Sequence, residues 1–138
     1  TLDGTLFPYT TLFRSHLRRV AETARLLNEA GLIVVAAFVS PDRDLRRQVA
    51  EIVGESRFLE LYLDAPLAIC EARDPGDVYR KARDGQIATL PGVNLPYEPP
   101  ESPALVLPTA DLSPAESVDR ILRLLADRGF FPRPGAKE

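Results

Sequence analysis

The side chains best equipped for chemistry in this sequence are cations set in short groups: Arg18-Arg19, Arg73, and Arg80-Lys81 with Arg83. A guanidinium grips phosphate or sulfate through two parallel hydrogen bonds, whereas a lysine acts as a mobile point charge. The 138 residues carry a formal net charge of −3, so no global field draws in nucleic acid or an anionic membrane. An anionic ligand must therefore be held by these local cations. Two further residues could take part. Asp3 closes Leu2-Asp3-Gly4, which reads as a strand end, and open α/β sheets bind ligands at that edge. An aspartate there can equally cap a turn. Ser40 follows an apolar run and precedes a helix start. Its hydroxyl would need a base to become a nucleophile, and Asp3 is the obvious one. As a plain helix N-cap it needs none.

Positioning these residues requires alternating helices and buried strands, which is what the sequence reads as from His16 onward. Leu17, Val20, Ala24 and Leu27 recur at helical spacing, and Gly31 stands where a glycine stops a helix. Leu32 to Val39 is a continuous apolar run rich in β-branched residues, expected as a strand buried on both faces of a parallel sheet. Ser40-Pro41 then offers an N-cap and a first-turn proline, with Asp42 and Asp44 in the first turn and Leu45, Val49 and Ile52 carrying the helix to Gly54. Phe58 to Leu63 reads as a strand, Pro66 to Arg73 as a short helix, and Ala104 to Leu107 as a last strand. Between them, Asp74 to Pro103 turns to Gly, Pro and charge, with a short helix expected over Val78 to Asp84 and a mobile lid as the general reading. Lids bring cations onto a transferring group and exclude water, although a charge run can equally be a solvated face. Ser113-Pro-Ala-Glu116 is a capping box opening a helix with Val118, Ile121, Leu122 and Leu125 inward, stopped by Gly129. Strands separated by helices imply a parallel α/β sheet in one domain. Cys70 is the only cysteine, so no internal disulfide forms, as expected in a reducing, cytoplasmic setting. There is no apolar run of membrane-spanning length and no signal-peptide pattern at the N-terminus.

Thr5 to Ser15 does not fit this scheme. It shows neither helical nor strand period, and it resembles, codon for codon, the conceptual translation of a common short-read sequencing adapter. The expected organisation is thus a strand-end remnant over 1–4, an adapter-derived segment over 5–15, an α/β domain over 16–131 with its lid at about 74–103, and a frayed tail over 132–138. The adapter-derived segment is expected to pack poorly and is excluded from functional inference.

The other segments, taken in order, carry a family resemblance. They are Leu2-Asp-Gly4, Leu17-Arg-Arg-Val20, Ala30-Gly-Leu32, Ala37 to Pro41, Val53-Gly54 with Arg57-Phe58, Cys70-Glu-Ala-Arg-Asp-Pro75, Tyr79 to Arg83, Gly92, Pro96-Tyr-Glu98 and Leu105-Val-Leu107. This series resembles adenylylsulfate (APS) kinase, which phosphorylates the 3′-hydroxyl of adenylylsulfate with ATP in sulfate assimilation. Cys70 to Pro75 followed by Tyr79 to Arg83 and then Pro96 to Glu98 is its most specific part. The resemblance implies a P-loop NTPase-type parallel sheet with flanking helices, use of ATP and Mg2+, adenylylsulfate as substrate, a possible homodimer and a possible fusion to ATP sulfurylase. No GxxxxGK[ST] phosphate loop occurs in the 138 residues, so the expectation is an N-terminally incomplete domain, lacking that strand, loop and helix and inactive as it stands.

The same resemblance suggests roles residue by residue. Asp3 would be the acid that orients or deprotonates the 3′-hydroxyl; Thr5 stands where the family has a second Asp. Arg18 or Arg19 would belong to the adenylylsulfate pocket, as would Val39 and Ser40, the latter also described as a phosphoserine intermediate. Arg73 would lie against the ATP adenine, and Lys81 and Arg83 would reach the substrate from the lid. His16 replaces a usual asparagine and is assigned no role. Gly76 stands near where the family has a lysine, and Leu90 replaces an aromatic that could stack on adenine. These departures leave another small P-loop metabolite kinase, or a non-catalytic nucleotide-sensing module of a sulfurylase fusion, as alternatives. No protein metal ligand is assigned.

Overall fold

A computed structural model of the chain describes residues 6–131. Two compact units make it up, one reaching to Leu59 and including Pro96–Pro99, the other formed by Glu60–Leu95 with the stretch from Pro100 onward.

The first unit is a pair of helices, α1 (Leu6–Glu29) and α2 (Arg43–Val53), packed on each other. Leu17 and Ala21 of α1 and Leu45 and Val53 of α2 are buried, a stripe at helical spacing on each partner. Gly31 ends α1 as expected: at φ 86° it lets Leu32 N–H reach back to the Leu27 carbonyl at 3.0 Å. The start of α1 differs from expectation, since Leu6–Ser15 continues the helix instead of breaking from it. Once Leu17 and Ala21 anchor the helix, adding turns costs far less than nucleating one. Pro8 falls in the first turn, where a missing N–H breaks no helical bond. Along 11–15 the described side chains pack little: Phe13 is half-buried, while Thr11, Arg14 and Ser15 are exposed.

Two further expectations fail here. Leu32–Val39 forms no strand, and most of its apolar side chains are exposed, Val35 at 90% and Val39 at 60%. A β-rich run becomes a strand only where a neighbour completes its ladder, and no described segment pairs with it. The cap of α2 is Asp42 rather than Ser40: the Asp42 carboxylate accepts the Leu45 N–H at 2.9 Å. A carboxylate at that position adds charge to the hydrogen bond that a hydroxyl would make.

The second unit holds the sheet. Strands β1 (Leu61–Asp64) and β2 (Leu105–Pro108) pair in parallel, Leu61 opposite Leu105 through Asp64 opposite Pro108. Leu107 is fully buried, whereas Leu63 and Val106 are exposed, so the pair is not covered on both faces. Helices α3 (Leu67–Ala72) and α4 (Val78–Arg83) follow β1, and α5 (Pro114–Asp127) follows β2 and packs on it. The capping box is present: Ser113 Oγ accepts from Glu116 N–H at 3.2 Å while Glu116 Oε2 accepts from Ser113 N–H at 2.8 Å. The expected lid segment is partly ordered, since it contains α4 and a braced turn.

Candidate functional site

The C-terminal ends of β1 and β2 meet at one edge, and Thr109 ties them together. Its N–H and Oγ1 both donate to the Asp64 carbonyl, at 2.8 and 3.2 Å. The Thr109 carbonyl in turn accepts from Arg73 Nη2 at 2.9 Å. Arg73 is the C-terminal cap of α3, so a helix end and a strand end jointly place one exposed guanidinium at the ligand-binding edge of a parallel pair. Its other N–H groups have no partner among the described residues, leaving a planar cation able to stack on a base or grip an oxyanion.

Helix α4 is fastened to α3. The Asp74 carboxylate accepts the Val78 and Tyr79 N–H groups at 2.8 Å each, which serves the N-terminus of α4. Arg83 Nε donates to Glu71 Oε1 at 2.7 Å, and Arg83 Nη2 donates to the same oxygen. Burial pushes the Tyr79 hydroxyl above its ordinary range, helped by the neighbouring Cys70 thiol and the Asp74 and Glu71 carboxylates. Asp77 sits at φ 54° and pairs with Arg80 at 2.7 Å, which holds its carboxyl below the usual aspartate range. Of the two lid cations singled out from sequence, Arg83 thus already holds a carboxylate. Lys81 is exposed; its ammonium donates to the Gly76 carbonyl at 3.3 Å and stands near the Asp77 carboxylate.

In the first unit, Ser40 is half-buried and Val39 exposed. The Ser40 carbonyl accepts from Arg46 Nη1, and Arg46 Nη2 donates to the Glu98 carbonyl at 2.6 Å. The Arg46 guanidinium also lies over the Tyr97 ring, 5.9 Å from its centre. Glu98 Oε2 accepts the Arg43 N–H at 2.8 Å, so the first turn of α2 is served by two carboxylates, Asp42 and Glu98. Arg18 and Arg19 are both exposed on α1. Arg19 borders an open groove of about 460 Å3 against residues 34–38, lined by the polar side chains of His16, Arg19 and Thr23 and otherwise by apolar ones. His16 itself packs edge-on against Phe38 at 5.5 Å. Asp3 lies outside the described residues. Sequence reasoning missed Glu71, Asp74, Arg46, Glu98 and Asn94 as positioning groups. Glu71, Asp74 and Glu98 stand in the recognised segments, but only the fold shows what each one holds.

Residues 11–108 match the profile of the family described as adenylylsulphate kinase. The chain belongs to the adenylylsulphate kinase family. An adenylyl-sulfate kinase from Bacteroides fragilis is 46% identical over 113 residues, covering 82% of this chain and 56% of the relative. The bifunctional enzyme NodQ of Rhizobium tropici is 47% identical over 113 residues, which make up 18% of its length. Among solved structures, the Mycobacterium tuberculosis APS kinase CysC in complex with AMPPNP and APS superposes with a TM-score of 0.77 at 34% identity, covering 81% of this chain and 65% of that one. The crystal structure of APE1195 gives 0.73 at 40% identity, covering 83% and 65%. The parallel pair with its flanking helices is therefore part of the P-loop kinase fold, and the chain spans little more than half the length of the adenylyl-sulfate kinase relatives. No helix among the described residues is long and apolar enough to cross a membrane.

Proposed function

We propose that the whole protein transfers the γ-phosphoryl group of ATP to the 3′-hydroxyl of adenylylsulfate, giving 3′-phosphoadenylylsulfate and ADP. The observation that carries this reading is family membership, with an adenylyl-sulfate kinase 46% identical over 82% of this chain. The 3′-oxygen attacks the γ-phosphorus, the bond from that phosphorus to the β–γ bridging oxygen breaks, and Asp3 takes the hydroxyl proton. Arg73 would flank the adenine of ATP; Arg18, Arg19, Val39 and Ser40 would hold adenylylsulfate. Lys81 and Arg83 would serve its anionic groups from the lid, Arg83 after exchanging Glu71 for the ligand. The donors present suit an anionic nucleotide, because Arg73 is exposed at the strand ends with spare N–H groups. Mg2+, when bound, would offset the negative charge of the ATP phosphates; no residue of this chain is assigned to hold it. Ser40 fits better as a positioning residue than as a phosphorylated intermediate, since direct transfer needs no such step.

A nucleotide-sensing module of a sulfurylase fusion is the second reading, favoured by the likeness to a bifunctional enzyme. An assay of ADP release with adenylylsulfate separates the two. The 138-residue chain alone should stay at background, because a phosphate-loop lysine and its N–H cradle are absent and single cations in such sites are worth ~10³-fold in rate. Joined to the N-terminal half of a phosphate-loop-bearing relative, it should turn over adenylylsulfate. Nucleotide binding without turnover in that chimera would establish the sensor instead.

A further inference from the structure

The segment from Asp74 to Pro103 reads as a single lid, but its bonding divides it. From Asp74 to Gln86 every anchor leads back to α3 or along α4. Asp74 caps α4, Glu71 holds Arg83, Ala82 is buried, and Gly85 at φ 75° lets the N–H groups of Gln86 and Ile87 close on the Lys81 carbonyl at 2.8 and 3.2 Å, so the root extends to the Ile87 nitrogen. Beyond Ile87 the bonds turn inward on the loop itself. Asn94 Nδ2 donates to the Ile87 carbonyl and Asn94 Oδ1 accepts from Leu90 N–H, both at 2.6 Å. The N–H groups of Val93, Asn94 and Leu95 converge on the Leu90 carbonyl at 3.1 to 3.2 Å, and Gly92, at φ 85°, donates to the Leu95 carbonyl at 2.8 Å.

We propose that the lid consists of a fixed root, Asp74–Gln86, and a separately moving flap, Ile87–Leu95, which Asn94 braces so that it moves without losing its shape. Segments held by separate sets of contacts open separately. Rotation about the Cα–C bond of Ile87 carries its carbonyl along with the flap, so the Asn94 bond at the base survives the motion. A loop already folded on itself also has less freedom to lose when it closes on a ligand. The inference rests on the lid assignment made with the proposed function.

Hydrogen exchange read by mass spectrometry on the 138-residue chain tests it, with α5 peptides as the control for folding. Asp74→Asn should speed exchange at Val78–Arg80 about fivefold, as expected for a weakened helix cap, and leave 90–95 unchanged. Asn94→Ala should do the reverse. Glu71→Gln is a milder root variant should Asp74→Asn disturb α5. A variant that loosens both segments together, or two variants that loosen neither, overturns the division. Within the lid, adenylylsulfate should slow exchange more at 87–95 than at 74–86, where Arg83 only changes partner from Glu71 to the ligand. If it changes no segment, the proposed function loses support, while the variants alone still decide the division into root and flap.

Discussion

Leu32–Val39 and Leu61–Asp64 are both apolar runs suited to strands, yet one forms no strand and the other pairs. Leu61–Asp64 meets Leu105–Pro108 in parallel register, and Leu107, on a strand that α5 also packs against, is completely buried. Leu32–Val39 meets no ladder among the described residues, and Val35, Leu32 and Ile33 remain largely in water. The difference lies in partners, not in composition. β-propensity measures fit to a half-buried pleated surface, so it has no effect until such a surface exists. An unpaired apolar run of this kind is also a surface on which chains associate.

The sharpest way to break this comparison is to truncate one residue from each region. Leu107→Ala removes a side chain with no exposed area and should cost about 2–5 kcal/mol by transfer and cavity effects. Val35→Ser touches a residue that is 90% exposed and should stay within about 0.5 kcal/mol. Urea midpoints at constant m-value would measure both. Equal losses would mean that residues 32–39 are packed in solution and that the contrast is false.

Helix starts give a second, smaller comparison. Ser113 caps α5 through a local box, while Ser40, in a similar Ser-Pro sequence, yields to Asp42 two residues on. Ser113→Ala and Asp42→Ala should each cost about 1 kcal/mol, and Ser40→Ala less than about 0.5. A Ser40→Ala loss matching that of Asp42→Ala would restore the serine as the cap. Thermal melts followed by circular dichroism suffice.

These cases mark what could be read from the residues. The Ser113 box, the Gly31 stop, α4 and the parallel relation of β1 and β2 all depend on local chemistry or on one well-patterned pairing, and all were legible. The start of α2 was not, because Arg43 N–H is served by Glu98, 55 positions away. The helical path of Leu6–Ser15 was also missed, since helix extension from an anchored segment overrides weak local preference. At the candidate site the residue types were evident and their grouping was not. Nothing in Cys70 to Pro75 reveals that Glu71 holds Arg83 or that Asp74 caps the next helix, while the Arg73 position at the strand ends follows from topology.

The finest contrast between the two helix starts lies in pH. Glu116 accepts from both the Ser113 hydroxyl and its N–H, and those bonds hold its carboxyl below the usual glutamate range. In the unfolded chain the same carboxyl titrates near its ordinary value of about 4.3. Its contribution to stability is therefore complete above that value, and it is lost as pH falls from there through the lower folded value. Glu116→Gln keeps an acceptor for the Ser113 N–H but cannot titrate. The difference in melting temperature between wild type and Glu116→Gln should be constant from pH 7 to about pH 5 and shrink below about pH 4.3, as the other carboxylates titrate alike in both proteins. A difference that stays constant down to about pH 3 would show that the box owes nothing to the charge of Glu116. It would then be a neutral cap whose strength comes from the Ser113 hydroxyl alone, and Ser113→Ala should remove the same stability at every pH.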